Sequence, residues 1–573
     1  MGNKTETKNC QSCQQDFTIE PEDFNFYEKI KVPPPTWCPE CRMIRRMMWR
    51  NERVWYHRTC DATGKNILSI FDPEKGYKVY DHEYWKSDAW DPLDYGREYS
   101  FSRNFFEQFS ELMKEIPHTN LIQKNNVNSE YSNNSLNLKN CYMVIAADTA
   151  ENSAYLCGLI RRIKESLDLY QCNDDEYCYD CVDCDKSNKL FFSRNCTNCI
   201  DSYFLYDCRN CLNCIGCVGL RNKNYYIFNE SYSRDEYFKK LKEFNTGSFK
   251  SLEKIKQKFE ALKLSIPRKY AYILNSQNVT GDDIINAKDC FHSFNVKYEV
   301  ENCRYSYRIT QNVKDIVDTL IGWNGSELLY DVLSGNGKNI KFSGFIWGGF
   351  DIEYSYNCFD CNNIFGCVGL RNKSYCILNK QYSKEEYFKL VDKVKSHMNE
   401  KKFSGSNGRV YGYGEFFPME LSPFDYNESL VQEYFTKNKN EVIQMKLTWK
   451  DSDEKNYEIT KKNSELEDDI SNFSDSILEE VIECGHKGKC SDQCFTAFRI
   501  IPKELTFLRR FNLPLPRLCF NCRHMERVRL KNPMKLWHRK CMKEGCHNEF
   551  ETAYAPDRPE KVYCERCYQR EVY

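Results

Sequence analysis

The chain has 573 residues, of which 41% are hydrophobic and 15% aromatic, a composition that supplies several domain cores and excludes a mainly disordered chain. The formal net charge of −1 excludes a uniformly basic nucleic-acid coat but leaves room for a local basic patch. Many of the 32 cysteines form the C-x-x-C pairs typical of metal knuckles. The first residues form no apolar leader and no apolar run could span a bilayer. We therefore expect a cytoplasmic protein with zinc-bound thiolates and no membrane partner.

The first candidate metal site lies in an N-terminal zinc ribbon with a basic helix, predicted for residues 1–56. Residues 10–41 read as C-x2-C, a 24-residue insert and a second C-x2-C. This spacing places four thiolates around one zinc ion and leaves no open coordination position. The predicted ligands are Cys10, Cys13, Cys38 and Cys41. Basic residues then recur every four positions, which predicts one face of a helix. They are Arg42, Arg46 and Arg50.

Residues 57–120 are predicted to form a degenerate, metal-free ribbon and a connecting helix. A related segment near the C-terminus, residues 536–573, contains four cysteines. Residues 57–120 keep the counterpart of only the first of these, Cys60. Lys65 replaces a second cysteine, and Asp81 and Tyr84 stand near the places of the other two. A hairpin without metal is the expected result.

The middle of the chain is predicted to be a mainly β, duplicated right-handed parallel β-solenoid, with halves at 121–265 and 266–398. Residues 204–240 match 354–390 at 21 of 37 positions. Cysteines spaced 12 apart, with short aromatic stretches and Asn or Asp between them, predict strands that stack coil on coil. Twelve residues are one coil or half of a larger one. The cysteines of this period are Cys172, Cys184, Cys196 and Cys208.

Each half is expected to end in a capping helix that covers the open strand edge. Ser233-x-x-Glu236 and Ser383-x-x-Glu386 are capping boxes, in which the serine accepts from free backbone N–H groups and the glutamate reaches back. A further helix, roughly 249–264, is predicted to link the halves.

The solenoid cysteines have two interpretations. Several lie three positions apart, as do Cys208, Cys211 and Cys214, a spacing that iron–sulfur and zinc sites also use. A free cysteine also behaves as a small buried hydrophobe. The second interpretation is favoured, because Cys214 aligns with Ile364 in the other half.

Residues 399–483 are predicted to be a polar and acidic linker. Within it, residues 464–483 carry eight acidic side chains and no basic one, a pattern typical of a solvated segment. The same segment could instead fold onto a basic face.

Two further zinc ribbons are predicted at 484–535 and 536–573. The first repeats the N-terminal ribbon, because residues 494–541 align with 13–60 without a gap. Its predicted ligands are Cys490, Cys494, Cys519 and Cys522, and those of the second are Cys541, Cys546, Cys564 and Cys567. The basic helix face is repeated by Arg523, Arg527 and Lys531.

One of these ligands is open to choice. Cys484 and His486 lie just upstream of Cys490 and compete with it, but Cys490 best matches the position of Cys10. His538 is expected to pack or to form hydrogen bonds rather than to bind metal, because the thiolates already complete each set.

The N-terminal pattern CQSCQQDFTIEPEDFNFYEKIKVPPPTWCPECR resembles the bacterial "probable zinc-ribbon" family. The whole arrangement also includes the repeated GCVGLRNK block and WHRKC…FETAYAPDRPEKVYCERCY. It resembles uncharacterised cysteine-rich zinc-ribbon proteins of candidate-phyla-radiation bacteria. The resemblance extends over nearly all of the chain and implies zinc ribbons, but no activity comes with it.

These patterns predict a non-enzymatic zinc-binding protein with about three zinc ions. Its basic ribbon helices are expected to bind RNA or a ribosomal surface, because cationic groups bind phosphate and aromatic rings stack on unpaired bases. The same arginines would also offset the charge of a zinc tetrathiolate. One alternative is a protein–protein scaffold that uses the solenoid faces. The other is a metal or redox enzyme that uses the solenoid cysteines.

Overall fold

The computed structural model describes residues 5–170, 188–451 and 457–572, so Cys172 and Cys184 of the predicted period lie outside the described residues. Strand residues outnumber helical ones, 32% against 26%, which confirms a strand-rich chain. Two compact units are interleaved in the sequence. Unit 1 comprises Met1–Leu121, Ala271–Lys450 and Met534–Leu536, and unit 2 comprises Ile122–Tyr270, Asp451–Pro533 and Trp537–Tyr573.

Unit 1 is organised round a large mixed sheet of 11 strands. The strands of this sheet are Ile273–Leu274, Gln277–Arg304, Tyr307–Thr310, Val313–Thr319, Gly322–Trp323, Glu327–Val332, Gly335–Lys341, Ile346–Glu353, Phe359–Phe365, Ser374–Ile377 and Lys380–Gln381. The short strands of this unit are Glu6–Asn9, Asp16–Ile19, Tyr56–Thr59, Asn66–Ser69, Val79–Tyr80, His118–Thr119, Phe403–Ser404 and Val410–Tyr411. Its helices are Pro21–Ile30, Pro39–Met47, His82–Lys86, Phe105–Glu115, Lys384–Glu400, Val431–Tyr434 and Lys439–Gln444.

Unit 2 carries two runs of paired strands, one before and one after residues 171–187. The first run consists of Gln123–Lys124, Ser132–Asn133, Ser135–Lys139, Val144–Glu151 and Cys157–Lys164, and the second of Asn188–Phe191, Ile200–Tyr203, Leu212–Ile215, Asn224–Ile227 and Glu230–Ser231. The short strands are Arg268–Lys269, Ile482–Glu483, Ala497–Phe498, Trp537–Lys540, Glu549–Thr552 and Val562–Tyr563. The helices are Arg234–Glu243, Phe249–Ser265, Pro502–Arg510, Phe520–Arg529 and Glu565–Val572.

Most strands of the two large assemblies pair in parallel. We call residues 273–377 the stack of unit 1, and residues 123–170 together with 188–227 the stack of unit 2. In the stack of unit 2, Leu212 lies in register opposite Ile200 on one side and opposite Asn224 on the other. These partners are 12 positions apart, so the period of 12 read from the sequence is the register of the parallel pairs. The pairs of the other stack are offset by 11 to 13 positions.

A second, shorter period of three residues explains why Asn and Asp punctuate the stacks. The backbone adopts the left-handed conformation in long runs of positions three residues apart, as at Asn195, Asn198 and Asp201. Asn and Asp tolerate this conformation best among the non-glycine residues. The side-chain amide of Asn198 also donates to that of Asn210, 3.2 Å away and 12 positions later. Each turn of the backbone is therefore tied to the next by a polar ladder.

The stack cysteines occupy the narrow interior between these turns. Cys208 is buried, and its Sγ lies 3.5 Å from the carbonyl oxygen of Tyr206 and 3.6 Å from that of Cys217. Ser193 makes the same kind of bond, from Oγ to the carbonyl of Phe191 at 2.9 Å. Burial raises the pKa of Cys208 well above its ordinary value. This thiol is therefore a neutral core group, which agrees with the interpretation as small buried hydrophobes.

A helix packs against the last parallel strand of each stack. Both predicted capping boxes are confirmed, with Ser233 and Ser383 at the N-cap positions of these helices. Tyr237 of one helix and Tyr387 of the other are buried and pack on a tyrosine of that strand. The helix predicted near 249–264 spans Phe249–Ser265. Among the described helices, none combines the length and the apolar character that crossing a bilayer requires.

The segment 399–483, predicted as a linker, is largely folded. Phe416, Phe417 and Tyr426 are fully buried in unit 1. In unit 2 the acidic stretch buries Ile470, and the carboxylate of Asp468 accepts from a free N–H at the start of the Phe249–Ser265 helix. Its apolar residues occur singly or in short pairs among polar ones, without a sustained helix or strand period, so the sequence pattern concealed this packing.

Candidate metal centres

Three groups of four cysteines each bring their sulfur atoms within 4.8 Å of one another, so each group could hold a metal ion. We name them by their first residue: the Cys10 group, the Cys484 group and the Cys541 group. Their members are Cys10, Cys13, Cys38 and Cys41; Cys484, Cys494, Cys519 and Cys522; and Cys541, Cys546, Cys564 and Cys567. The described cysteines are free thiols and form no disulfide.

The Cys10 group is assembled by a hairpin and a helix. Cys10 directly follows the strand Glu6–Asn9, which pairs antiparallel with Asp16–Ile19. Cys38 is the N-cap of the helix Pro39–Met47, and its backbone N–H donates to Cys10 Sγ at 3.2 Å. A proline at the first helical position fixes where this helix begins. The helix N-terminus in turn favours the thiolate form of nearby sulfurs.

The Cys484 group repeats this construction but corrects one predicted ligand. Cys484 directly follows the strand Ile482–Glu483, and its Sγ accepts from the backbone N–H of Cys519 at 3.3 Å. Cys484 is therefore the counterpart of Cys10, and the choice of Cys490 was wrong for this group. The gap-free alignment placed the ligand by residue count. It missed that nine residues separate Cys484 from Cys494, where the N-terminal knuckle has two.

The Cys541 group contains all four predicted thiols. Trp537–Lys540 pairs with Glu549–Thr552 as a hairpin, and the backbone N–H of Cys564 donates to Cys541 Sγ at 3.3 Å. The exposed ring of His538 lies 2.9 Å from a carboxylate oxygen of Glu549 and 3.1 Å from one of Glu551. It makes hydrogen bonds as expected and is not among the grouped ligands.

The sulfur separations fit a tetrahedral ion. With metal–sulfur bonds of about 2.3 Å, the edges of the tetrahedron are about 3.8 Å long. The Sγ atoms of Cys13 and Cys38 are 3.8 Å apart, those of Cys484 and Cys522 are 3.9 Å apart, and one pair of the Cys541 group is 3.9 Å apart. Four-sulfur tetrahedra of this size suit zinc or iron.

The degenerate module of unit 1 keeps the same construction with one thiol. The backbone N–H of Asp81 donates to Cys60 Sγ at 3.2 Å, as that of Cys564 does to Cys541. The carboxylate of Asp81 then lies 3.5 Å from Cys60 Sγ and accepts from Thr63 Oγ1 at 3.1 Å. Hydrogen bonds thus stand where the C-terminal module has further thiols.

The basic helix of the Cys10 group lies against the stack of unit 1. Arg42 and Arg46 are at most 1% exposed. Nε of Arg42 is 2.9 Å from Asp318, and a terminal nitrogen of Arg46 is 2.6 Å from Asp331. Burial works to lower the pKa of Arg42, but Asp318 outweighs it and the pKa lies well above its usual value. Arg45 adds a 2.7 Å bond to Asp331.

The basic helix of the Cys484 group is buried in the same way. In unit 2, Arg523 and Arg527 lie 2.5 Å and 3.1 Å from the two carboxylate oxygens of Asp168, a residue at the end of the first run of parallel strands. Arg523 also bonds Glu504 at 2.9 Å. Lys531 is half-buried with its ammonium over the ring of Tyr170.

The five arginines predicted as nucleic-acid contacts are therefore not exposed, since Arg50 is also buried and bonds Glu52 at 2.6 Å. A phosphate cannot reach guanidinium groups that are enclosed and already paired. Sequence reasoning missed the acidic partners because they lie far along the chain. A signal existed, since each aspartate stands inside an apolar run. The runs are Ile316-Val317-Asp318, Leu329-Tyr330-Asp331 and Leu167-Asp168-Leu169.

The described cysteines of the two stacks do not join these centres. Within the part of the chain that the structure describes, the sulfurs of the stacks are not among the clusters that could surround an ion. Burial raises the pKa of Cys196, Cys358 and Cys367 well above the ordinary value, so these thiols stay protonated.

The chain matches no protein-family model, no curated protein and no solved structure. Its resemblance to zinc-ribbon proteins therefore stays a prediction.

Proposed function

We propose that this chain is a non-enzymatic, zinc-stabilised scaffold in which three zinc ribbons hold two parallel β-solenoids in shape. Four thiolates in each ribbon would fill the coordination sphere of zinc, so that no position stays open for substrate or water. The 12-residue register supports the solenoid interpretation, with one coil per 12 residues. Crossovers between parallel strands are almost always right-handed, which supports the hand that we assign.

One repeated observation carries this proposal. In each unit a helix that begins at a C-x-x-C pair inserts two arginines into buried ion pairs with aspartates of the stack. Buried charges are tolerated only where the geometry pairs them closely. A metal that fixes the start of the helix would also fix the geometry of the arginine–aspartate pairs. The proposed role of the ribbons is therefore to stabilise the stacks rather than to bind RNA.

The stacks are the surface that we propose for a protein partner. Large apolar side chains are exposed on them, namely Val127 and Ile200 in unit 2 and Phe350 in unit 1, the last at 45% exposure. Aromatic and aliphatic side chains of this kind serve as contact points in protein interfaces.

Metal removal tests the proposed role of the ribbons. We expect at least three zinc ions per purified chain by elemental analysis. A chelator should speed hydrogen exchange in the helices Pro39–Met47 and Phe520–Arg529 and in the strands that carry Asp318 and Asp331. A chain that holds no zinc, or one that exchanges equally slowly with and without chelator, would contradict the proposal.

RNA binding is the second candidate function, and the surface considered for it is a lysine-lined cleft instead of the basic helices. A cleft of about 520 Å³ in unit 1 is lined by lysines beside the exposed ring of Phe350. The lysines are Lys29, Lys31, Lys338, Lys341 and Lys395. Carboxylates lie within 4.0 Å of four of them, which reduces the positive charge of the cleft and ranks this candidate second.

A salt titration tests the second candidate. Filter binding to a single-stranded RNA should weaken steeply as salt rises, because bound cations are released from phosphates. The double variant Lys31→Glu with Lys338→Glu should bind more weakly, whereas Lys114→Glu, an exposed site elsewhere in unit 1, should not. Absence of affinity at low salt removes this candidate and leaves the scaffold proposal intact.

A further inference from the structure

The long knuckle of the Cys484 group carries a second set of ligands. The nine residues between Cys484 and Cys494 include His486, Cys490 and Asp492. Together with Cys522, their nitrogen, sulfur and oxygen atoms lie within 4.8 Å of one another. The corresponding knuckle of the Cys10 group has only Gln11 and Ser12 between its cysteines.

We infer that these four residues bind a second divalent ion of the zinc type, and that the thiolate of Cys522 bridges it to the ion of the Cys484 group. Cys490 Sγ lies 3.6 Å from Cys522 Sγ, a separation within reach of one tetrahedral ion. Imidazole, carboxylate and thiolate are the three ligand types that zinc accepts.

The state of the histidine supports a ligand role. His486 Nδ1 is buried and has no hydrogen-bond partner in the structure, yet it faces Asp492 Oδ2 at 3.7 Å. A buried ring nitrogen without a partner costs free energy, and 3.7 Å is too long for a hydrogen bond. An ion placed between the two groups would bind both.

The carboxylate is held in place from behind. Asp492 is 3% exposed, and both of its oxygens accept from the guanidinium of Arg529. Carboxylates that bind metals are commonly oriented by such outer hydrogen bonds. With four protein ligands the site is closed, so its role is to order the nine-residue loop rather than to activate water.

The site depends on the proposed metal of the Cys484 group only through Cys522, and counting ions separates the two. We expect four zinc ions in the full chain and three in the His486→Ala, Cys490→Ala double variant. The matched control, Gln11→Ala with Ser12→Ala in the short knuckle, should keep four. X-ray absorption on the unmodified chain should also show a metal–metal distance below about 4 Å.

Other outcomes overturn one proposal or both. Three ions in the unmodified chain without a short metal–metal distance would remove the second site and leave the ribbons intact. Four ions in the double variant would also remove it. A chain without zinc would remove both. If the double variant fails to fold, the unmodified chain tests the second site alone. A short metal–metal distance in that chain supports the site, and the absence of such a distance overturns it.

Discussion

The two units contain the same small module and hold it together by different means. In unit 2 the strand Val562–Tyr563 pairs in parallel with Arg268–Lys269, and in unit 1 Val79–Tyr80 pairs in parallel with His118–Thr119. The Cys541 group supports the first module, whereas Asp81 and its hydrogen bonds support the second. One backbone arrangement thus occurs both with four clustered thiols that could hold a metal ion and with polar contacts around a single thiol.

The arginine contacts show the same kind of difference. In unit 2 both helix arginines pair with Asp168, and Arg523 has Glu504 as a second partner. In unit 1 the shortest contact of Arg42 is to Asp318 and that of Arg46 is to Asp331. Loss of one aspartate should therefore matter more in unit 2 than in unit 1.

The largest expected effect comes from removing one cysteine of a proposed zinc ribbon. Cys38→Ser should abolish metal binding at the Cys10 group, and Cys519→Ser should do so at the Cys484 group. Each change should lower the free energy of unfolding by an amount on the order of 10 kcal/mol, because structural zinc contributes that much. Elemental analysis measures the loss of metal in each variant, and hydrogen exchange of the adjoining helix measures the loss of stability. Unchanged metal content in either variant would contradict the assignment of that ligand.

Removal of a buried aspartate ranks next. Asp168→Asn should destabilise unit 2 by about 5 kcal/mol and Asp318→Asn should destabilise unit 1 by about 3 kcal/mol, since breaking a buried ion pair leaves a charge uncompensated. Denaturant unfolding measures the difference. Asp201→Asn, in an exposed pair with Lys189, is the control and should cost less than about 1 kcal/mol. Equal, small effects at all three sites would mean that the arginine contacts do not anchor the helices.

Acid should affect the two modules differently. His118 is buried and donates from Nε2 to the carbonyl of Met113 at 2.6 Å, and burial lowers its pKa to about 4. The unfolded chain, with an ordinary pKa near 6.5, binds the proton more readily. Stability is therefore lost as the pH falls from about 6.5 to about 4, by roughly 3 kcal/mol in total.

The comparison with His118→Gln isolates this effect from any acid release of metal, which would affect the variant and the wild type equally. The difference in denaturant midpoint of unfolding between the variant and the wild type should change between about pH 6.5 and about pH 4, and it should stay constant above about pH 6.5. In unit 2 the same position of the pairing holds Arg268, stacked on Tyr206, so its module should lack this dependence. A pH-independent gap would show that His118 does not resist protonation.

The smallest effect is expected inside a stack. Cys208→Ser should cost about 1 kcal/mol and leave the metal content unchanged, because serine makes the same carbonyl contact at Ser193. Thermal unfolding and elemental analysis measure the outcome. Loss of an ion in this variant would revive a metal role for the stack cysteines.

Local signals in the sequence predicted much of this structure. The capping boxes at Ser233 and Ser383, the helix Phe249–Ser265 and the period of 12 all depend on residues close together in the chain. The Cys10 and Cys541 groups were also predicted in full, because ligand spacing within short knuckles determines them.

The remainder depended on distant pairings that spacing does not encode. Arg46 looked like an exposed cation because its partner Asp331 lies 285 positions away. Cys484 was passed over because a lengthened loop displaced it from the aligned position. The burial of Phe416 was concealed because a short apolar pair, Phe416-Phe417, gives no helix or strand period.

Because the units are interleaved in the sequence, the two partners of a buried ion pair are synthesised at widely separated times. Arg45 and the carboxylate of Asp331 are 286 positions apart, and the whole stack of unit 2 is encoded between them. At about 5–20 residues per second, a ribosome needs roughly 15–60 s to deliver that partner. For this interval the newly made arginine helix stays in water, so a nascent chain stalled between the two positions would expose a cationic surface that the finished protein encloses.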